Sequence, residues 1–218
     1  MQVLDKGYIE LIGIMGKDED IAKSARVSFI SNNGKTYTKD DDTKLIKYLY
    51  ENGHMSPFEM VTYRFEIKAP LFVARQWFRH RAGSFNERSG RYSIMEDEFY
   101  YPSTFHSQDK TNKQGRGEAL ENSEEVGMLY GNAMERIYNI YKSLLHEGVC
   151  KEQARLVLPL SIYTLYVWQT NLRNLFNFLN QRAHPHAQYE IRQYAETIEK
   201  FVEHNNPIAY KVWKENKK

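Results

Sequence analysis

Cysteine is almost missing from this 218-residue chain. The lone Cys150 excludes an intrachain disulfide and any zinc site built from several cysteines. Long hydrophobic runs are missing as well: no stretch of 18 apolar residues exists, which removes a membrane-spanning helix. Charge of one sign is lacking too. Thirty basic residues against 28 acidic ones leave +2, so the chain as a whole has no attraction for a polyanion. The first twenty residues lack a basic segment followed by an apolar one, so no secretion signal is expected and the expected location is the cytoplasm. A dinucleotide fingerprint is absent: the nearest approach, residues 115–120, lacks the third glycine and a preceding strand. What is there is a globular composition, 41% hydrophobic and 14% aromatic against 27% charged, which excludes a disordered chain.

Periodicity predicts an α+β fold in a single domain over 1–218, with a mixed sheet, flanking helices and a helix-rich C-terminal half. Val3, Ile9, Leu11 and Ile14 predict a strand, and Ile21, Ala25 and Phe29 predict a helix over 18–29. Polar residues 31–42 predict a loop whose aspartates cap a helix over 43–51, which ends at Asn52-Gly53. The alternation of Val61, Tyr63, Phe65 and Ile67 predicts a half-buried strand, with Pro70 at the first position of the next helix. From Ser84 to Tyr101 no pattern survives. Residues 102–121 are polar with nothing to anchor them to a core, and predict a mobile surface loop. Asn122 and Glu125 are expected to form a capping box for a long helix that ends at Gly148. Its apolar stripe would be Val126, Leu129, Ala133, Ile137, Ile140, Tyr141, Leu144 and Leu145. Helical turns over 151–158, a strand over 162–168 and helices over 172–180 and 187–202 complete the pattern.

Chemistry concentrates between residues 75 and 91. Five arginines (Arg75, Arg79, Arg81, Arg88, Arg91) stand there against one acid, Glu87, a net +4. Not one of the chain's 17 lysines falls in this window. Guanidinium is planar and always charged, and it meets phosphate or a carboxylate-like edge through two parallel hydrogen bonds. Gln76 and Arg79 share a helical face, and the following small and amide residues let backbone groups converge on an anion. The bland alternative is a surface helix end paired with the acids of residues 95–98. The pattern points to an anion; it does not specify a reaction.

The residues themselves carry a resemblance. Arg79-His80-Arg81, then seven residues, then Ser89, resembles the signature of flavin-dependent thymidylate synthases. Residues 54–59 (HMSPFE), 152–160 (EQARLVLPL) and 171–188 (NLRNLFNFLNQRAHPHAQ) are similar to three further blocks of that family, in the same order. Together they span most of the chain.

The resemblance implies conversion of dUMP to dTMP with 5,10-methylenetetrahydrofolate as one-carbon donor, FAD as hydride source and NADPH to reduce the flavin. It implies no cysteine nucleophile, and Cys150 lies outside all four blocks. By carry-over, Arg182 polarises the uracil ring. Gln76, Arg79, Glu87, Arg88, Ser89, Gly90, Arg91 and Arg155 would hold dUMP. Ser56, Arg79, His80, Arg81, Glu87, Asn171, Arg173 and Asn177 would hold FAD, with His54 and Glu59 as further flavin or folate contacts. Ser89 is expected to hydrogen-bond dUMP, since no Ser-His-Asp arrangement can be read around it. His184 and His186 without nearby partners are thin for zinc, so no metal is expected. The family implies a homotetramer with FAD at subunit interfaces, and neither nucleic-acid nor membrane partners. Two rivals remain: a nucleic-acid module in which Trp77, Phe78, Phe85 and Tyr92 interleave with the arginines, and a flavin reductase without methyl transfer.

Overall fold

The structure is a computed structural model that describes residues 1–28 and 36–217. Five strands form one antiparallel sheet in the order β1-β2-β3-β7-β4: β1 (Gln2–Val3), β2 (Gly7–Met15), β3 (Thr62–Pro70), β4 (Ser84–Glu87) and β7 (Tyr163–Asn171). A separate hairpin pairs β5 (His106–Gln108) with β6 (Arg116–Ala119). The helices are α1 (Asp18–Arg26), α2 (Lys39–Glu51), α3 (Leu71–Trp77), α4 (Ser123–His146), α5 (Lys151–Ala154), α6 (Leu172–Arg182), α7 (Tyr189–Asn205) and α8 (Pro207–Asn216). The expected α+β class is what the chain adopts.

The central pair, β3 and β7, is the frame of the molecule. Thr62 faces Asn171 at one end and Pro70 faces Tyr163 at the other. Tyr63, Phe65, Ile67 and Ala69 of β3 bury one face with Tyr166 and Trp168 of β7, the period-2 pattern of a half-covered sheet. Because the two strands run antiparallel, the helices that follow them start at opposite ends of the sheet. Each folds back over the buried face, so α3 and α6 approach with their C-terminal ends. They meet where Trp77 stacks on Phe178, ring centroids 4.7 Å apart, above Trp168. α7 closes the same layer through Tyr194, 5.9 Å from Trp77. A second apolar cluster, centred on Phe99, Met134, Tyr141 and Ile162, seats α4.

Several expectations are corrected. Pro70 is the last residue of β3 and the N-cap of α3, not its first turn; Leu71 and Phe72 donate instead to Ile162 and Leu160. The patternless stretch holds β4, an edge strand that borrows its pairing from β7. Residues 102–121 contain the β5–β6 hairpin where a structureless loop was expected. α2 begins earlier, at Lys39, and its capping box joins Thr38 to Asp41, placing the aspartates inside the first turn. Asn122 makes no side-chain cap, because its backbone (φ −94°, ψ 28°) is not extended as a capping residue requires. α4 buries only Met134 and Tyr141, and Leu129 and Ile140 of the expected stripe are exposed. The end of the helix expected over 18–29 and residues 31–35 of the expected loop lie outside the described residues. α8 was not anticipated.

Candidate active site

The convergence of α3 and α6 creates a polar corner. Arg182, the last residue of α6, donates from Nε to His80 Nε2 at 2.9 Å, and its Nη2 lies 3.5 Å from the Gln76 carbonyl oxygen. A cation at a helix C-terminus also sits favourably in the helix dipole. Phe178 closes the other side of His80, edge to face at 4.9 Å. Burial, and then the charge of Arg182, lowers the His80 pKa from 6.5 to about 4. The imidazole is therefore neutral near pH 7, with Nε2 as acceptor and the ring proton on Nδ1. Burial lowers the Arg182 pKa as well, yet a guanidinium keeps its charge in a protein. With Nε held by histidine and Nη2 by the Gln76 carbonyl, the Nη1 amino group of Arg182 remains available for a carbonyl or ring nitrogen.

The side-chain amide of Gln76 donates to Gln188 Oε1. Gln188 lies in the quoted C-terminal block but had no role assigned; its place beside Gln76 depends on the turn between α6 and α7.

A second group surrounds the turn after β4. Glu87 Oε1 accepts from the Thr164 hydroxyl at 2.8 Å, and Ser89 Oγ accepts from the Arg91 amide at 3.2 Å. Gly90 is buried against Arg155: a Cβ there would lie 3.2 Å from Arg155 Cδ and 3.0 Å from Met95 Sδ. Two arginines here are neutralised, Arg88 by Glu96 at 2.9 Å and Arg91 by Glu152 at 2.6 Å. Arg75, Arg79 and Arg81 have no partner among the described residues, and each is exposed. The bland alternative of local pairing thus holds for Arg88 and fails for the three arginines of the α3 end.

A third group lies at the start of α6. Asn171 is its N-cap and accepts from Asn174 N at 3.0 Å. Arg173 pairs with Glu59 at 2.6 Å, and Asn177 is exposed one turn on. Ser56 opens the 3-10 turn Ser56–Met60, His54 stands two residues before it, and both are exposed, the His54 ring 6.0 Å from Tyr48. Arg173 and Arg182 are nine positions apart on α6, a rise of about 13.5 Å, and lie on opposite sides of its axis. One chain therefore brings Gln76, His80 and Arg182 together, and Gly90 and Arg155 together, while Arg173 stands well away from Arg182 along α6. Cys150 is an exposed N-cap of the short α5, and no cluster of metal-ligating side chains occurs among the described residues.

A guanidinium fixed by a neutral histidine, with unpaired arginines on the adjoining turn, is a donor set suited to an anionic ligand. Comparison with known proteins gives the particular family. The sequence model described as thymidylate synthase complementing protein matches residues 10–208. The flavin-dependent thymidylate synthase of Thermus thermophilus is 48% identical over 214 residues, covering 98% of this chain and 78% of that protein. That of Thermosipho melanesiensis is 46% identical over 212 residues, covering 96% and 91%. Among solved structures, a UMP/dUMP methylase, PolB from Streptomyces cacaoi bound with 5-Br dUMP, aligns with a TM-score of 0.89 at 31% identity. It covers 98% of this chain and 97% of that one. The chain belongs to the flavin-dependent thymidylate synthase family, and it is an enzyme of the methyltransferase class.

Proposed function

We propose that this chain methylates dUMP to dTMP, taking the carbon from 5,10-methylenetetrahydrofolate and the reducing equivalents from NADPH through FAD, with no cysteine nucleophile. The observation that carries the reading is the Arg182 guanidinium held by His80 Nε2 at 2.9 Å and by the Gln76 carbonyl, with its Nη1 amino group unspent among the described residues. Without a thiol to add to the ring, C5 of uracil must gain electron density electrostatically. Arg182 set against N3 and a flanking carbonyl favours the ring anion, whose charge reaches C5. Preorganisation matters here: the guanidinium is already aimed, so little reorganisation accompanies charge development.

Gln76 and the 87–91 turn with Arg155 hold the nucleotide, Ser89 by hydrogen bonding. The donor set on the α3 end fits a flavin dinucleotide, because Arg79 and Arg81 carry charge with no acidic partner among the described residues. With His80, Ser56, Glu87, Asn171, Arg173, Asn177 and His54 these residues would hold FAD, which when bound supplies the hydride. Since Arg173 and Arg182 stand apart along α6, we read the working enzyme as a cytoplasmic homotetramer whose subunit interfaces complete the site. Neither a nucleic acid nor a membrane enters this reading as a partner.

The test is dTMP formation with dUMP, methylenetetrahydrofolate, NADPH and FAD, each omitted in turn. Product is expected only with all four. In Arg182→Ala, dTMP formation should collapse while FAD stays bound; near-full turnover would remove Arg182 as the activator.

A further inference from the structure

The β5–β6 hairpin holds no buried residue between positions 106 and 119, so apolar burial does not seat it. Its strand β6 is tied down ionically. Arg116 donates to Glu190 Oε1, and its guanidinium lies 4.7 Å from the Tyr189 ring centroid. Glu190 is only 2% exposed. The Tyr100 hydroxyl donates to the same oxygen at 3.1 Å, and Oε2 has no partner among the described residues. A carboxylate taken out of water to this extent needs a countercharge, and Arg116 is the cation paired with it.

Glu190 stands two residues after Gln188, whose amide oxygen accepts from Gln76. The neighbouring ties of this segment are internal: His186 N donates to His184 Nδ1 at 3.1 Å and Arg192 to the Pro185 carbonyl at 3.0 Å. Between the hairpin turn and the segment lies a cavity of about 380 Å³, lined in part by Asn112, Arg116, Gln188 and Arg192. Buried Ile191 and Tyr194 seat α7 in the core, whereas the exposed turn ahead of it meets the hairpin through the Arg116–Glu190 ion pair and the Arg116–Tyr189 contact.

We propose that Arg116 is a positioning residue for the nucleotide corner: through Glu190 it fixes the 184–190 segment, and so the Gln188–Gln76 pair beside Arg182. The inference rests on reading Gln76 as a dUMP contact. It gives the 102–121 region a role that none of the quoted motifs covers.

The experiment is calorimetric titration of dUMP into the flavin-loaded full-length enzyme, with steady-state dTMP formation alongside. Arg116→Met should weaken dUMP binding about tenfold, the equivalent of one net hydrogen bond, with kcat at saturating dUMP and flavin content unchanged. Arg116→Lys should recover part of the loss. Because Arg116→Met strands a buried charge, Arg116→Met/Glu190→Gln is the decisive second variant: it removes the charge and keeps an acceptor for Tyr100. Weak dUMP binding in that variant, with thermal stability restored, supports positioning. Recovery of affinity together with stability would overturn it, since the loss would then belong to the stranded charge alone. Gln76→Ala separates the two readings. If it weakens dUMP binding and Arg116→Met does not, the positioning role falls and the site stands. If Gln76→Ala binds dUMP normally, the site reading falls and the proposal falls with it.

Discussion

At the scale of single residues, His80 and Arg182 show what a motif leaves open. Their identities stand in the sequence; their partnership across 102 residues does not. Burial and the adjacent guanidinium hold His80 near a pKa of about 4, below its ordinary 6.5. Between those two values the unfolded chain takes up a proton that the folded chain refuses, so folding stability falls as pH drops through that window. Above 6.5 both states are neutral and the effect vanishes. Thermal melts from pH 7 to 4.5 should therefore show a shallower acid decline in His80→Gln than in the native chain. Equal slopes would contradict a depressed histidine. At neutral pH the glutamine carbonyl still accepts from Arg182, whereas His80→Leu offers no acceptor. The leucine variant should accordingly lose about tenfold or more in kcat, and the glutamine variant less.

Elements depend on distant parts of the chain in the same way. α8 has Pro207 at its start and no capping side chain of its own. Its orphan amides are satisfied by Asp18, on α1: Ile208 N donates to Oδ2 at 2.8 Å and Ala209 N to Oδ1 at 3.1 Å. Burial raises the Asp18 pKa, and the two amide hydrogen bonds act against that rise. Asp18→Ala should cost about 2 kcal/mol, as expected for a partly buried helix cap. A urea melt with an unchanged midpoint would refute the cap. β4 was illegible for a related reason. Ser84–Glu87 has one apolar residue, Phe85, and becomes a strand because β7 offers an open edge, with Phe85 stacked 6.1 Å from Trp168. The hairpin likewise lacks a hydrophobic face and is located by an ion pair.

For the molecule as a whole, the telling feature is apolar surface that one chain leaves open. Tyr92 is 79% exposed, Leu156 78% and Leu129 72%. Tyr92 and Leu156 are neighbours in sequence of the arginines proposed to hold dUMP. Large apolar side chains standing clear beside a polar site are what an assembly interface covers. Together with the separation of Arg173 and Arg182 along α6, this favours sites completed by other copies of the chain. Light scattering of the purified protein should report a tetramer, and dilution to monomer should lower activity. An active monomer would contradict shared sites.

The sequence by itself determined the α+β class, the β3 and β7 strands and the four motif blocks. Each of these is a local pattern, a period of two or four or a fixed spacing, and a local pattern survives without knowledge of the fold. It also located the arginine-rich window. Which of the chain's arginines keep their charge unspent was decided only by tertiary structure. Arg173 meets Glu59 across 114 residues, Arg116 meets Glu190 across 74, and Arg91 meets Glu152, while Arg79 and Arg81 meet no acid among the described residues. Ion pairing is a matter of proximity in space, and antiparallel β3 and β7 set that proximity by sending α3 and α6 toward each other over one face of the sheet.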